Sequence, residues 1–297
     1  TFSKISSWLE ECCTCHLSCE RPTAIPLPSR VLDLSPPRKQ RQIRLISGEG
    51  KRGQWVALSH AWGGFQPLRT TKETLAVHQA GIKWSELPPT FQDAVIITKT
   101  LGFKYLWIDS LCIIQNSPED WDREAATMAS VYGNAAITIC AEAAANSQCG
   151  IFKSANNRRG IDVRLPANNR AWVLQESLLS PRVIIYTADQ VKWSCRTAEK
   201  FERGREEGEG YLLGHRKLLR CWYDIVERYG PCNITKAEDR LPAIAGVAKR
   251  ISALTGFSYL AGLWLEDIVQ GLCWFSENGL PQTSSKYLGP TWSWVCM

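Results

Sequence analysis

No apolar run in the sequence approaches the roughly 18 residues that a membrane-spanning helix needs, and Thr1–Glu20 contains no hydrophobic signal segment. A membrane span is therefore not expected. Dense charge of one sign is also missing. The formal charge is +6 over 297 residues, and the tightest basic group, Arg38, Lys39, Arg41 and Arg44, is a short surface cluster that argues against nucleic acid as a partner. There is no internal repeat. The glycine-containing turn at Gly63–Gly64 lacks the lysine and the long glycine spacing of a P-loop. Histidine is scarce, with four residues at positions 16, 60, 78 and 215. A Cys–His nucleophile can be drawn on paper, but twelve cysteines make chance pairings easy.

The length suffices for one large domain or two modest ones, and 44% apolar with 22% charged residues is the composition of a globular chain. With no signal segment, the cysteines do not read as a disulfide framework. Cys112, Cys140 and Cys273 lie in apolar stretches and read as buried free thiols in a reducing, cytoplasmic compartment. The segment "CCTCHLSC" places soft ligands close together. A structural zinc site usually draws on a second pair farther along, and no second C-x-x-C or H-x3-H is present. Buried or surface thiols are the default there, and a zinc cluster of Cys12, Cys15, His16 and Cys19 is the lesser reading. The chain opens on threonine and stops at "TWSWVCM", and reads as part of a longer protein.

Periodicity supplies the architecture. "WVALSHAWGG" reads as a buried strand, Trp55 to Leu58, ending in a glycine turn. A helix follows, capped by Thr90, with Phe91, Ala94, Val95 and Thr98 on one face and Gly102 as its stop. "FKYLWI" is a central strand that leaves Asp109 at its carboxyl end. Ser117-Pro118-Glu119-Asp120 starts a second helix, whose apolar face is Trp121, Ala125, Met128, Ala129 and Tyr132. "AAITICA" is another buried strand. Strand, helix, strand, helix, strand over residues 55–141 predicts a parallel α/β sheet, in which ligands gather at the carboxyl ends of the strands. Ser59–Gly63, Asp109 and Glu142 all emerge at that edge. Residues 145–169 read as a loop or insertion, "RAWVLQESLLS" as helical, "RVIIYTADQVKW" as a strand, and "RTAEKFERGREEGEGY" as charged and mobile. From His215 on the pattern is mainly helical, and Trp264, Trp274, Trp292 and Trp294 read as packing for that part.

"LSHAWG", "LPPTFQDAV", "LGFKYLWIDSLCIIQ", "WDREAATMASVYGNAAITI" and "RAWVLQESLLSPR", continued by "DRLPAIAGVAKR", "YLAGLWLEDIVQGLCW" and "PTWSWV", resemble the fungal heterokaryon-incompatibility (HET) family over nearly the whole chain. One departure is visible: the family often has cysteine before Trp-Gly after "LSH", where this chain has Ala61. The resemblance implies self/non-self recognition with a cell-death response, in partnership with other incompatibility or signalling proteins. The family is in turn distantly similar to Toll-receptor-type (TIR) domains. "VALSHAWGG" resembles their first strand and loop, "ITICAEAAANS" their third, and "WVLQESL" their Trp-x3-Glu segment. In NAD-cleaving TIR enzymes that glutamate is catalytic, and by resemblance it falls on Glu176, with NAD as substrate rather than a resident cofactor.

The expected organisation is an N-terminal segment, 1–50, packed on the core, a TIR-like, flavodoxin-type parallel α/β domain over 51–200, and a mainly helical extension over 201–297. Ser59, His60, Trp62, Gly63, Asp109 and Trp172 are the candidate substrate contacts and Glu176 the candidate catalytic carboxylate. Each has a plainer reading. Glu176 can be an ion-pair partner of Arg170 or Arg182, Asp109 can cap the turn after its strand, and Trp62 can fill the core. Three functions stay open: NAD cleavage through Glu176, a self-assembling signalling module without chemistry, and an enzyme on another small molecule of fungal specialised metabolism.

Overall fold

All five residues of Trp55–Ser59 are buried, the pattern of a strand covered on both faces, and the architecture grows outward from it. The structure is a computed structural model that describes residues 1–35, 42–64, 66–152, 176–204, 206–207, 215–232, 234, 237–275 and 287–296. These residues fall into two compact units, drawn from Thr1–Asn168 with Ser180–Leu212, and from Asn169–Leu179 with Leu213–Met297.

The first unit opens with α1 (Phe2–Cys15), β1 (Ile25–Pro26), β2 (Arg30–Asp33), β3 (Gln42–Ser47) and β4 (Arg52–Gly53). It continues through β5 (Trp55–Ser59), α2 (Leu75–Ala80), β6 (Ile82–Lys83), α3 (Pro89–Thr100), β7 (Tyr105–Ile108), α4 (Asp109–Cys112), α5 (Pro118–Gly133) and β8 (Ile137–Cys140). After residue 180 come β9 (Arg182–Tyr186), β10 (Val191–Cys195), β11 (Glu199–Phe201) and β12 (Glu206–Glu207). One sheet takes the order β12-β11-β10-β9-β8-β5-β7-β2-β3-β6.

The α/β expectation holds, but the sheet is mixed rather than parallel. Only the central strands β7, β5, β8 and β9 run parallel. β2 joins β7 antiparallel, and β10 and β11 return as hairpin strands on the other side. A short loop permits only an antiparallel neighbour, while each parallel step needs a crossover helix. "RVIIYTADQVKW" is accordingly two strands around a turn, with Thr187 Oγ1 donating to the Gln190 carbonyl at 2.8 Å. Glu199–Phe201, in the stretch expected to be mobile, pairs with β10. Residues 30–33 and 42–47, expected to pack on the core, are strands of the sheet itself.

The helix of residues 89–100 starts at Pro89, with Pro88 at its N-cap. Thr90 lies inside it, and its hydroxyl instead donates to the Asn146 carbonyl and accepts from Gly150 N–H. In α5 the buried face is Asp120, Glu124, Met128, Val131 and Tyr132, rotated from the expected apolar stripe. The cause is Arg30. Its guanidinium lies 2.5 Å from Asp120 Oδ2 and 3.3 Å from Glu124 Oε1, and its Nε donates to the Cys112 carbonyl at 2.6 Å. Asp120 Oδ2 also accepts from Ile114 N–H at 2.8 Å, and Ser29 Oγ donates to Glu124. β2 is thus tied to α4 and α5 by a network in which both acids are almost fully buried.

The described part of the second unit contains α6 (His215–Tyr229), α7 (Pro242–Thr255), a hairpin of β13 (Tyr259–Leu260) and β14 (Leu263–Trp264), and α8 (Ile268–Gly271). Trp222, Trp264 and Trp294 are buried in its core, as expected for the last two. Trp292 is partly exposed, and Cys273, expected to be buried, is exposed. Gly262 carries φ +100°, and a Cβ there would meet Trp294 Nε1 at 2.7 Å. Its carbonyl accepts from both Trp222 and Trp294.

Replacing Arg30 by Met removes the buried cation between Asp120 and Glu124 and leaves the two buried carboxylates with the largely exposed Arg123 as their remaining cation among the described residues. Arg30→Met is expected to cost about 3–5 kcal/mol, read from the urea midpoint of the full chain.

Candidate functional site

From β5 the chain crosses to one side to make β7, then to the other side to make β8. That reversal makes a topological switch point at the carboxyl ends of β5 and β8, and in doubly wound sheets ligands bind in the crevice outside such a point. The loops leaving this edge carry Ser59–Gly64, Asp109 with α4, and Ala141–Ser147.

Asp109 is the first residue of α4, and both its oxygens are engaged. Trp62 Nε1 donates to Oδ2 at 3.0 Å and Ser110 N–H donates to Oδ1 at 2.7 Å. His60 Nδ1 lies 3.9 Å from Oδ1. The acid inside an otherwise apolar run therefore joins two strand ends, pinning the β5 loop to the β7 loop. Half-buried Trp62 serves as a donor to that acid. His60 is buried and sets its ring edge-on to Phe91 of α3, with centroids 5.1 Å apart.

Gly63 and Gly64 have φ of +62° and +71°. A Cβ on Gly63 would stand 2.1 Å from the Ala145 carbonyl oxygen, so only glycine allows the β5 loop to lie against the β8 loop. Ser59 Oγ and Ser147 Oγ, on residues with 1% and 0% exposure, have no hydrogen-bond partner among the described residues. Buried hydroxyls normally find a partner, and these two belong to the two chain segments that form the crevice. Glu142, shortly before Ser147 in the same segment, is also buried.

The loop carrying Asp109 is braced from below. Thr70 N–H donates to Ser110 O at 2.8 Å, Thr70 Oγ1 donates to Leu111 O at 2.6 Å, and Gln115 Nε2 donates to Asp109 O at 3.1 Å. Because the Thr70 hydroxyl proton is spent on Leu111, His78 Nδ1, 2.9 Å away, must be the donor in that pair. Burial pulls His78 below its ordinary value. Thr70, Gln115 and His78 were not singled out from the sequence, since their role depends on contacts between separate loops.

Glu176 is buried at 6% exposure, in the helical stretch 176–179, and is a residue of the second unit. Ser59, His60, Trp62, Gly63 and Asp109 all belong to the first. Trp172 lies outside the described residues. Of the cysteine-rich segment, Cys12, His16 and Cys19 converge, and their fourth neighbour is Cys195 at the end of β10. Cys15 is exposed, and among the described residues its thiol meets the Thr14 hydroxyl. α1 turns Ile5 and Cys12 inward, which leaves Cys15 in solvent.

Two outcomes test this bracing. Trp62→Phe keeps the ring but removes the donor to Asp109, and a loss of about 1.5–3 kcal/mol is expected by denaturant unfolding. For His78 the folded state resists the proton that the unfolded chain accepts. Its contribution is complete above about pH 6.5 and falls as pH drops below that value toward the lower folded-state value. His78→Asn, which retains a donor, should flatten this part of the acid limb when stability is followed against pH.

Residues 55–164 match the model of the family described as Heterokaryon incompatibility protein (HET). No curated protein and no solved structure matches the chain. The matched segment begins at the first residue of β5 and contains the two crossover helices, β8 and every crevice residue described above from the first unit. The chain carries a heterokaryon incompatibility (HET) domain over residues 55–164.

Proposed function

We propose that this chain acts in a fungal self/non-self recognition and cell-death response, and that the crevice at the carboxyl edge of its sheet takes a nucleotide such as NAD. The observation that carries the ligand reading is the buried Ser59 hydroxyl, without a partner among the described residues, beside the Asp109–Trp62 latch. An unpaired hydroxyl in a dry site gains from a ligand or water that pairs with it. Ser59, His60, Trp62, Gly63 and Asp109 would contact or shape the ligand, and the resemblance adds Trp172, which lies outside the described residues.

Glu176 is the catalytic carboxylate of this reading. The resemblance of "WVLQESL" to the TIR segment supports it, as does the burial of Glu176, since a carboxylate in a poorly screened site stabilises positive charge developing at an anomeric carbon. Its chemistry would be loss of nicotinamide from the ribose, with water completing the hydrolysis. The rival readings are self-assembly without turnover and action on a different small molecule.

The test is nicotinamide release from NAD by the purified chain over a concentration series, beside Glu176→Gln. Release that grows with assembly and falls about 100-fold or more in the variant is the expected result. Oligomers without release would leave the self-assembling module, and neither oligomers nor release would leave another substrate.

A further inference from the structure

We propose that Cys12, His16, Cys19 and Cys195 form a structural zinc site that fastens α1 and the turn after it to the β9–β10 hairpin. One ligand atom from each of the four lies within 4.8 Å of all the others. A tetrahedral zinc with sulfur at about 2.3 Å and nitrogen at about 2.0 Å sets its ligand atoms roughly 3.5–3.8 Å apart, so contraction by about an ångström or less closes the set. One edge, Cys195 Sγ to His16 Nδ1 at 3.4 Å, already lies just below that range.

Local structure explains the convergence. Cys12 lies in the last turn of α1, and His16, four residues on, is its C-cap in an extended conformation. A turn closed by Cys19 N–H donating to His16 O at 3.1 Å returns Cys19 to the same side. Cys195 is the last residue of β10, where its Sγ accepts from Ala198 N–H at 3.4 Å. Cys12, Cys19 and Cys195 are buried and His16 is half-buried.

Charge supplies an independent argument. Arg182 stands opposite Cys195 in the β9–β10 register and is 2% exposed. Its Nε donates to Cys12 Sγ at 3.3 Å and its Nη2 to the Glu20 carbonyl. Among the described residues no carboxylate forms an ion pair with it. A guanidinium this deep calls for an anion. Three thiolates, a neutral imidazole and a divalent ion sum to one negative charge, which Arg182 neutralises. With His16 Nδ1 on the metal, Nε2 faces Glu11 Oε1 at 3.8 Å, and Glu11 is itself held by Lys200 at 2.5 Å. This is the outer-shell arrangement by which a carboxylate orients a ligating imidazole. Three sulfurs and one nitrogen favour zinc over oxygen-seeking cations, and a set closed by four protein ligands suits a structural rather than a catalytic ion.

The test uses the purified 297-residue chain under reducing conditions, with zinc counted by elemental analysis and cobalt(II) as the spectroscopic probe. One equivalent of zinc, and a tetrahedral cobalt spectrum with sulfur-to-metal charge transfer, are expected. Cys195→Ser should bind at least about 10-fold more weakly, while Cys13→Ser and Cys15→Ser bind like the parent. His16→Cys guards against a variant that merely misfolds: it should keep one equivalent while its cobalt bands move toward those of a four-sulfur site. A folded parent chain that takes up no zinc overturns the proposal. Equal binding by Cys195→Ser and Cys15→Ser, or a folded His16→Cys chain without metal, overturns it as well.

Discussion

A guanidinium taken out of water must meet negative charge, and two arginines impose that requirement on opposite flanks of the sheet. Arg30 in β2 meets Asp120 and Glu124 of α5. The result rotates α5 so that two acids face inward, ties β2 to the α4 turn, and sets the N-terminal hairpin against β7. Arg182 in β9 has thiols and backbone carbonyls around it instead. A hydrogen bond between the Cys12 and Cys195 thiols draws Cys195 below the ordinary thiol range and pushes Cys12 above it. One arginine thereby positions the helix behind the crevice, and the other the helix that opens the chain.

The crevice obeys the same rule on a smaller scale. Asp109 tolerates its apolar surroundings because an indole and a backbone amide occupy its oxygens. Those bonds come from two different strand ends, so satisfying the acid also fixes the spacing of the loops that would surround a ligand. The Gly63–Ala145 contact fixes the third loop. Asp109 is thus a positioning group for this sheet edge, and Ser59 and Ser147 carry hydroxyls without a partner among the described residues.

The HET-matching segment is not a closed structural unit. It contributes β5, β6, β7 and β8, whereas the outer neighbour of β7 is β2, from before it, and that of β8 is β9, from after it. Unpaired strand edges are a liability in water. Flanking chain therefore belongs to the domain's fold, and any ion held between α1 and β10 would bind those two flanks to each other.

Local pattern alone determined much of this. The buried run at Trp55–Leu58, the Phe91–Thr98 stripe, the serine and proline opening α5, and the glycine stops were legible because burial period and backbone preference act within a few residues. The placement of Asp109 at a strand end followed from the same reading. Tertiary structure alone decided the mixed sheet, the inward acids of α5, the donors to Asp109, and Cys195 as the neighbour of His16, 179 residues away. Each of these depends on charge or polar atoms meeting across the chain. Such pairs leave no periodic trace in sequence, since either partner taken alone looks like an ordinary surface residue or an isolated thiol.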